Sequence, residues 1–381
     1  MTTFSGGARI RWRPPHTRSR RKRFPPAPDC GTLTELKRQF AAAQGEPVQP
    51  LKMQPVLVER VWGGRRLADL LNKAIPAGRR IGESWEVADH PHGRSTIMAG
   101  PFAGKTLRWL LEHHGADVLG QQEFALGGAA RFPVMVKFID ATDRLSIQVH
   151  PDDDYAGAHH PGESGKTECW CVIHAEAESW VIDGFRPGVG RDDLAAALAK
   201  GRIEDLVTTR PVKAGDFLWI PAGLVHGLGP GVVLAEVQQN SDVTYRVHDW
   251  NRKGADGRPR ELHVPQALEA IRFAGDLLPA GGRGRTADET GLAIDHLVDC
   301  HAFSLSRIRL DRRPWAADTG QAYAVLVTLA GAARLATEEG SMEIRAGDTV
   351  VIPAGANEYV LEAAEGLSVL VAAPPGKAPT K

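Results

Sequence analysis

Cysteine is scarce in this chain of 381 residues: Cys30, Cys169, Cys171 and Cys300 are all there is. Four scattered thiols build no disulfide framework, so the expected compartment is a reducing one, the cytoplasm. Cys169 and Cys171 flank Trp170, but a lone C-x-C lacks the second half of a zinc site. They read better as small buried apolar side chains on a strand. Charge of one sign is missing too. Lys+Arg and Asp+Glu are 46 each, so no global field draws the chain to nucleic acid or to an acidic membrane surface. Nor does any stretch approach the roughly 20 apolar residues needed to cross a bilayer. What is abundant is Gly (41) and Pro (26), which suits many short strands and turns. A hydrophobic content of 43% is that of a globular protein with a proper core.

The first fifty residues stand apart. From Arg9 to Arg23 the chain is rich in arginine, no acid precedes Asp29, and prolines recur at 14, 15, 25, 26 and 28. Such a segment buries too little apolar surface to fold, and without an apolar h-region it is no secretory signal. A transit peptide or a nucleic-acid tail shares this composition. The reading adopted is an extension over residues 1–52 without a functional site, ahead of a fold that starts near Met53. Beyond it, "GKTLRWLLEHHG" (104–115) has helical spacing at Leu107, Leu110 and Leu111, with His113 and His114 placed to close the helix. An apolar strand is predicted over 131–141 and an alanine-rich helical insertion over 191–207. Strands follow in "DFLWIPAG" and "GVVLAEVQQ", then a helix over 264–274, then strands again from about Ala302. The sum is mainly β with a few added helices, paired as sandwich or barrel.

Two stretches carry chemistry. In "LSIQVHPDDDY" (145–155) the apolar beat is Leu145, Ile147 and Val149, which leaves Ser146, Gln148 and His150 on the opposite face. In "AGDFLWIPAGLVHGLG" (214–229) Gly215, Pro221, Gly223 and His226 fall in the spacing G-x5-P-x-G-x2-H. That spacing resembles the second signature of the cupin superfamily, small jelly-roll barrels that hold a metal inside. By the same resemblance Gln148 takes the place of the first histidine of the other signature, His150 is the second, and Glu168 in "GKTECW" is the carboxylate. Two imidazoles, a carboxylate and an amide oxygen make a harder set than three imidazoles, suited to Zn²⁺ as a Lewis acid with open positions.

Six segments in order resemble the type I phosphomannose isomerases in their short bacterial form: "RVWGG" (60–64), "GESWEVADHPHGRS" (82–95), "LSIQVHPDD" (145–153), "GKTECW" (165–170), "PAGLVHGLG" (221–229) and "QQNSDVTYRVHDW" (238–250). The resemblance runs from about Val56 to Phe273 and more weakly to the C-terminus. It implies interconversion of mannose 6-phosphate and fructose 6-phosphate, with one zinc per chain on Gln148, His150, Glu168 and His226 and with Arg246 as the active-site arginine. Ser146, Trp62 and Glu83, in the same segments, are the expected substrate contacts. His248 stands where relatives of the short form carry an aromatic residue.

Aldose–ketose isomerisation moves a proton between C1 and C2 through a cis-enediol, so an acid/base group must lie within about 3 Å of that proton. Glu236 in "LAEVQQ" is a candidate, or else a partner of a metal ligand or of Arg246. Lys166 is placed to bind phosphate or orient an oxygen, and Arg246 to clamp phosphate or stabilise the enediolate. His159 and His160 read as exposed loop. Near the C-terminus, "RAGDTVVIPAGANEYVL" (345–361) repeats the turn at Gly347, Pro353 and Gly355, with Glu358 where the histidine stood. The prediction is therefore two cupin-type jelly rolls, a catalytic module over 53–275 and a metal-free one over 276–381 packed against it. The expected partner is a small phosphosugar, with no nucleic acid and no membrane. A non-catalytic phosphosugar-binding cupin would show no turnover. A cupin dioxygenase would need a third histidine where Gln148 stands.

Overall fold

Two antiparallel sheets face one another across the first half of the described chain. One has six strands, in the order Phe217–Ile220, Glu168–Ala175, Val232–Gln239, Val134–Ala141, Ile81–Val87 and Val56–Gly64. The other has five: Val207–Pro211, Trp180–Phe185, His226–Leu228, Ile147–Val149 and Tyr245–His248. In this computed structural model the described residues are 48–127, 131–254, 257–273, 277, 284–287 and 291–379. The extension expected over 1–52 lies outside them as far as residue 47.

Strand alternation sorts the six-stranded sheet into two buried faces. Trp170, Val172, Leu234 and Ile139 point toward the five-stranded sheet and form an inner apolar cluster with Leu218, Ile220 and Val181. Cys169, Cys171, Val237, Val136 and Phe138 point the other way, into a larger core. The two cysteines are thus small core side chains, away from any metal donor.

The second module is a sandwich of long strands. Ala324–Thr337 and Glu358–Ala373 pair along their length, flanked by Ser304–Leu310, Pro314–Asp318, Gly340–Arg345 and Thr349–Ile352. Its interior is filled by apolar side chains that include Ile308, Trp315, Leu326, Ile344 and Tyr359. Its outer face, with Phe303, Leu305, Val325 and Val351, joins Val136, Phe138 and Cys169 in one shared core. Lys73 also crosses between the modules, donating from Nζ to Glu86 Oε2 at 2.6 Å and to the Gly347 carbonyl at 2.5 Å. Gly347 has φ +90°, and a Cβ there would fall on the Leu71 carbonyl; no other residue fits this turn.

Several boundaries differ from expectation. Leu51–Gln54 is a strand of the second module's sheet, with Leu51 opposite Val351, so a module start at Met53 falls inside a strand. The helical stretch Leu107–Leu119 is interrupted at His114 (φ −137°, ψ 25°), where the histidine pair is expected to close it, and then resumes as far as Gly120, whose φ is +93°. The insertion helix covers Arg191–Ala199. Gly201, at φ +63°, terminates it, and Val207–Pro211 is already strand. The helix Val264–Ala270 is shorter than 264–274, and the late strands begin well before Ala302, with Gly284–Ala287 and Leu292–Asp299. His159 closes the helix Asp153–His159 instead of lying in a loop.

Candidate active site

The Pro-x-Gly turn works as a clamp. Gly223, at φ +87°, packs so closely on Arg272 that a Cβ would collide with it. Its N–H donates to the His150 carbonyl at 2.9 Å, tying the turn to the end of the strand that carries Gln148. Three residues on, His226 lies directly opposite Gln148, which in turn lies opposite Arg246. On the facing sheet Glu168 lies opposite both Ile220 and Gln238. The side chains that sequence spacing singled out thus converge from two sheets.

Each imidazole is oriented by a backbone carbonyl, His150 Nδ1 by Val243 at 3.0 Å and His226 Nδ1 by Leu224 at 2.9 Å. A carbonyl only accepts, so Nδ1 carries the proton and the Nε2 lone pair faces the site, as a metal-ligating histidine requires. His150 Nε2 lies 3.4 Å from Glu168 Oε2, and His226 Nε2 lies 3.5 Å from Glu168 Oε1. The Gln148 amide is 3.2 Å from His226 Nε2. Donors held about 2.0–2.1 Å from a tetrahedral ion are roughly 3.3 Å apart, which these spacings match. Glu168 Oε1 is buried with no hydrogen-bond partner among the described residues, a costly arrangement that a cation would relieve. The Ser146 hydroxyl meets Gln148 Oε1 at 2.9 Å. Because a hydroxyl both donates and accepts, it also serves the amide orientation that presents oxygen to an ion.

Protonation states fit the same purpose. Burial, with the Lys166 ammonium beside it, pushes His150 down to about 3, and burial also lowers His226. Burial alone would raise the Glu168 carboxyl, but Lys166 and the two imidazoles hold it well below the usual range. Neutral imidazoles and an ionised carboxylate are what a metal needs. Lys166 Nζ reaches His150 Nε2 at 2.9 Å and Glu168 Oε2 at 2.5 Å, so lysine and metal would use the same lone pairs.

These groups open into a cavity of about 250 Å³ whose wall includes Ser146, Gln148, Lys166, Glu236, Arg246, Trp62 and Glu83. Glu236 lies opposite Trp170 and Lys137 in the sheet. It accepts from Trp170 Nε1 at 2.8 Å, and its other oxygen is 3.4 Å from Lys137 Nζ. Burial and the nearby Glu168 charge raise its pKa. Glu83 is engaged by both arms of Arg60, at 2.7 and 3.1 Å, and by Trp85 Nε1 at 2.7 Å. His248 does not line the cavity; it turns to Glu204 at 3.2 Å.

Arg60, Lys137, Asp242 and Arg260 also line the cavity and were missed in the sequence. Lys137 did leave a signal, as a cation in the middle of an otherwise apolar strand. Arg260 left none. Among the described residues a second donor cluster, His90, His92 and Asp242, has both ring nitrogens of His90 engaged, by Glu163 and by the His92 N–H.

Residues 51–164 match the family model of the phosphomannose isomerase type I catalytic domain, and residues 293–371 that of the mannose-6-phosphate isomerase cupin domain. Mannose-6-phosphate isomerase ManA of Bacillus subtilis is 35% identical over 314 residues, covering 82% of this chain and 96% of that protein. The mannose-6-phosphate isomerase of Streptococcus mutans is 34% identical over 305 residues, 80% of this chain and 92% of that one. The crystal structure of the Bacillus subtilis mannose 6-phosphate isomerase is similar with a TM-score of 0.78 at 32% identity, covering 85% of this chain and 99% of that chain.

Proposed function

The chain belongs to the type I phosphomannose isomerases, and from that premise we propose how its residues interconvert mannose 6-phosphate and fructose 6-phosphate. Gln148, His150, Glu168 and His226 hold one divalent cation, Zn²⁺ by the chemistry of the donors. When bound, the ion supplies Lewis-acid polarisation of the sugar oxygens at C1 and C2. Glu236 takes the proton from C2 of the aldose and returns it to C1 of the cis-enediol, while the hydroxyl proton on O2 passes to O1, which gives the ketose. Its raised pKa suits a group that must both accept and give back a proton near neutral pH. Trp170 and Lys137 fix its two oxygens. Lys166 orients a substrate oxygen, and Arg246, the cross-strand neighbour of Gln148, stabilises the negative charge that develops on the sugar oxygens. Trp62 and Ser146 line the cavity beside the sugar, and Glu83 acts by holding Arg60. The module from about residue 276 and the extension ahead of residue 48 supply none of these groups.

The observation that carries this reading is the pair of carbonyl-anchored imidazoles converging on a buried, unpartnered carboxylate oxygen. A coupled assay from mannose 6-phosphate to fructose 6-phosphate, run with measured metal content, tests it. Chelation should abolish turnover and zinc restore it. Full turnover by metal-free protein would sink the metal assignment, and no turnover by metal-replete protein would sink the isomerase.

A further inference from the structure

We propose that Arg260, held by Asp249, binds the phosphate of the sugar substrate and so discriminates phosphorylated from unphosphorylated hexose. The inference rests on the isomerase reading and assigns the far end of the same cavity.

It follows from how the charges pair. The cavity is lined by Arg60, Lys137, Lys166, Arg246 and Arg260. Arg60 is neutralised by the bidentate Glu83, and Lys166 lies at the donor end of the cavity, against His150 and Glu168. Lys137 is 4% exposed, closed in between Glu236 at 3.4 Å and the Trp85 ring at 5.1 Å. That leaves two arginines. Arg246 stands next to Gln148 in the row of donors. Its Nη1 donates to the Glu261 carbonyl at 2.9 Å, while its Nε is buried without a partner among the described residues. Arg260 Nη1 reaches Asp249 Oδ1 at 3.2 Å, but that oxygen already accepts from Arg252 Nη2 at 2.6 Å.

Three guanidiniums therefore crowd one buried carboxylate. Their repulsion, added to burial, lowers the pKa of both Arg246 and Arg260. Asp143, 3.6 Å from Arg252 Nη1, offsets one of the three, and the positive charge left on Arg246 and Arg260 suits a phosphate monoester, which carries about −1.5 to −2 at neutral pH. Arg252 is not available for it: its Nη1 is bonded to the Arg144 carbonyl, and it does not line the cavity. Arg260 does line it and presents a planar fork suited to two phosphate oxygens.

The support for Asp249 is rigid. Trp250 and Asn251 both have φ +56°, a conformation uncommon for residues other than glycine and costly for a bulky side chain. It is held because Trp250 Nε1 donates to the Leu145 carbonyl at 2.6 Å and the Arg144 guanidinium lies 4.1 Å above the indole ring. The turn that aims Asp249 is thus fixed to the strand leading into Ser146 and Gln148.

The test compares the full-length wild type with Arg260→Gln and Arg260→Lys. It measures kcat and KM for mannose 6-phosphate, metal content, and the affinity for inorganic phosphate by calorimetry. Arg260→Gln should raise KM about 10- to 100-fold, the loss of a charge-assisted pair, and weaken phosphate in parallel. Its kcat should stay within about threefold and its metal content be unchanged. Arg260→Lys should recover part of the affinity. An Arg260→Gln enzyme with unchanged KM and unchanged phosphate affinity overturns the inference, as does one that loses kcat alone. A wild type inert on mannose 6-phosphate would sink the isomerase reading instead, and calorimetry with inorganic phosphate would still decide the role of Arg260.

Discussion

His226 meets its carbonyl, its carboxylate and its amide neighbour within one short strand, so its loss cannot be covered by another donor. His226→Ala should lose bound metal and lower kcat/KM by at least about 100-fold, the scale reached even by outer partners of metal ligands; metal analysis beside the coupled assay checks both. Glu236→Gln should behave differently. It keeps a hydrogen-bonding side chain beside Trp170 and leaves the four donors untouched, so metal content should hold while kcat falls about 10²- to 10⁴-fold. Near-normal kcat in that variant would remove Glu236 from proton transfer. Acid sensitivity follows from His150, whose pKa is lowered from 6.5 to about 3 by burial and Lys166. Between those values the unfolded chain binds a proton that the fold refuses. Stability is therefore complete above about pH 6.5 and falls as pH drops toward 3, by up to about 1.4 kcal/mol per pH unit for one histidine. His226 adds with the same sign. Melting temperatures of chelator-treated protein from pH 8 to 4 should show this fall, with a shallower slope in His150→Gln.

Strands were legible both where one face was polar and where both were buried, but in the second case the side chain that matters did not stand out. The alternation around Gln148 gave away its face because Ser146, Gln148 and His150 interrupt an apolar rhythm over a short distance. Val134–Ala141 is buried at every position and reads as a plain apolar run, so Lys137 passed unnoticed although it faces Glu236. The histidine pair marked a real break, at His114, but not the helical turn that resumes beyond it and ends at Gly120. The grouping of His150, Glu168 and His226 was legible because Pro221, Gly223 and His226 lie close in sequence. Arg260 was not, because only the turn at Trp250 brings it back to the cavity. Leu51–Gln54 was invisible for a different reason: half of its pairing is with Val350 and Val351, near the other end of the chain, and half with the two-residue strand Thr96–Ile97. Val48 and Leu51 are 4% and 3% exposed. A chain starting at Met53 gives up the burial of both, roughly 3–6 kcal/mol at about 1.5–3 kcal/mol each and an upper bound. A chain starting at Pro47 keeps it. Calorimetry should find a clearly lower melting temperature for the shorter chain, and equal temperatures would show that this strand adds nothing.

At the scale of the whole molecule the two modules share a core, so neither has a finished surface of its own. The intact protein should melt in a single calorimetric transition. A chain ending at Leu277 should be recovered mainly as aggregate, because it exposes the face of Val136, Phe138 and Val237; a soluble, monomeric fragment with turnover would contradict this. No described helix is long and apolar enough to cross a membrane. The pairing of Leu51 with Val351 also sets a clock. A ribosome that has just released Gln54 must add about 300 more residues before Thr349–Ile352 exists, roughly 15–60 s at about 5–20 residues per second. Through that interval Leu51 and Lys52 lack their partners Val351 and Val350, although Met53 and Gln54 already have Ile97 and Thr96, and the cysteine-bearing face of the first sheet lacks the part of its cover that Phe303, Leu305, Val325 and Val351 supply. The nascent chain must therefore stay soluble with its own core half built, and slower translation lengthens the exposure.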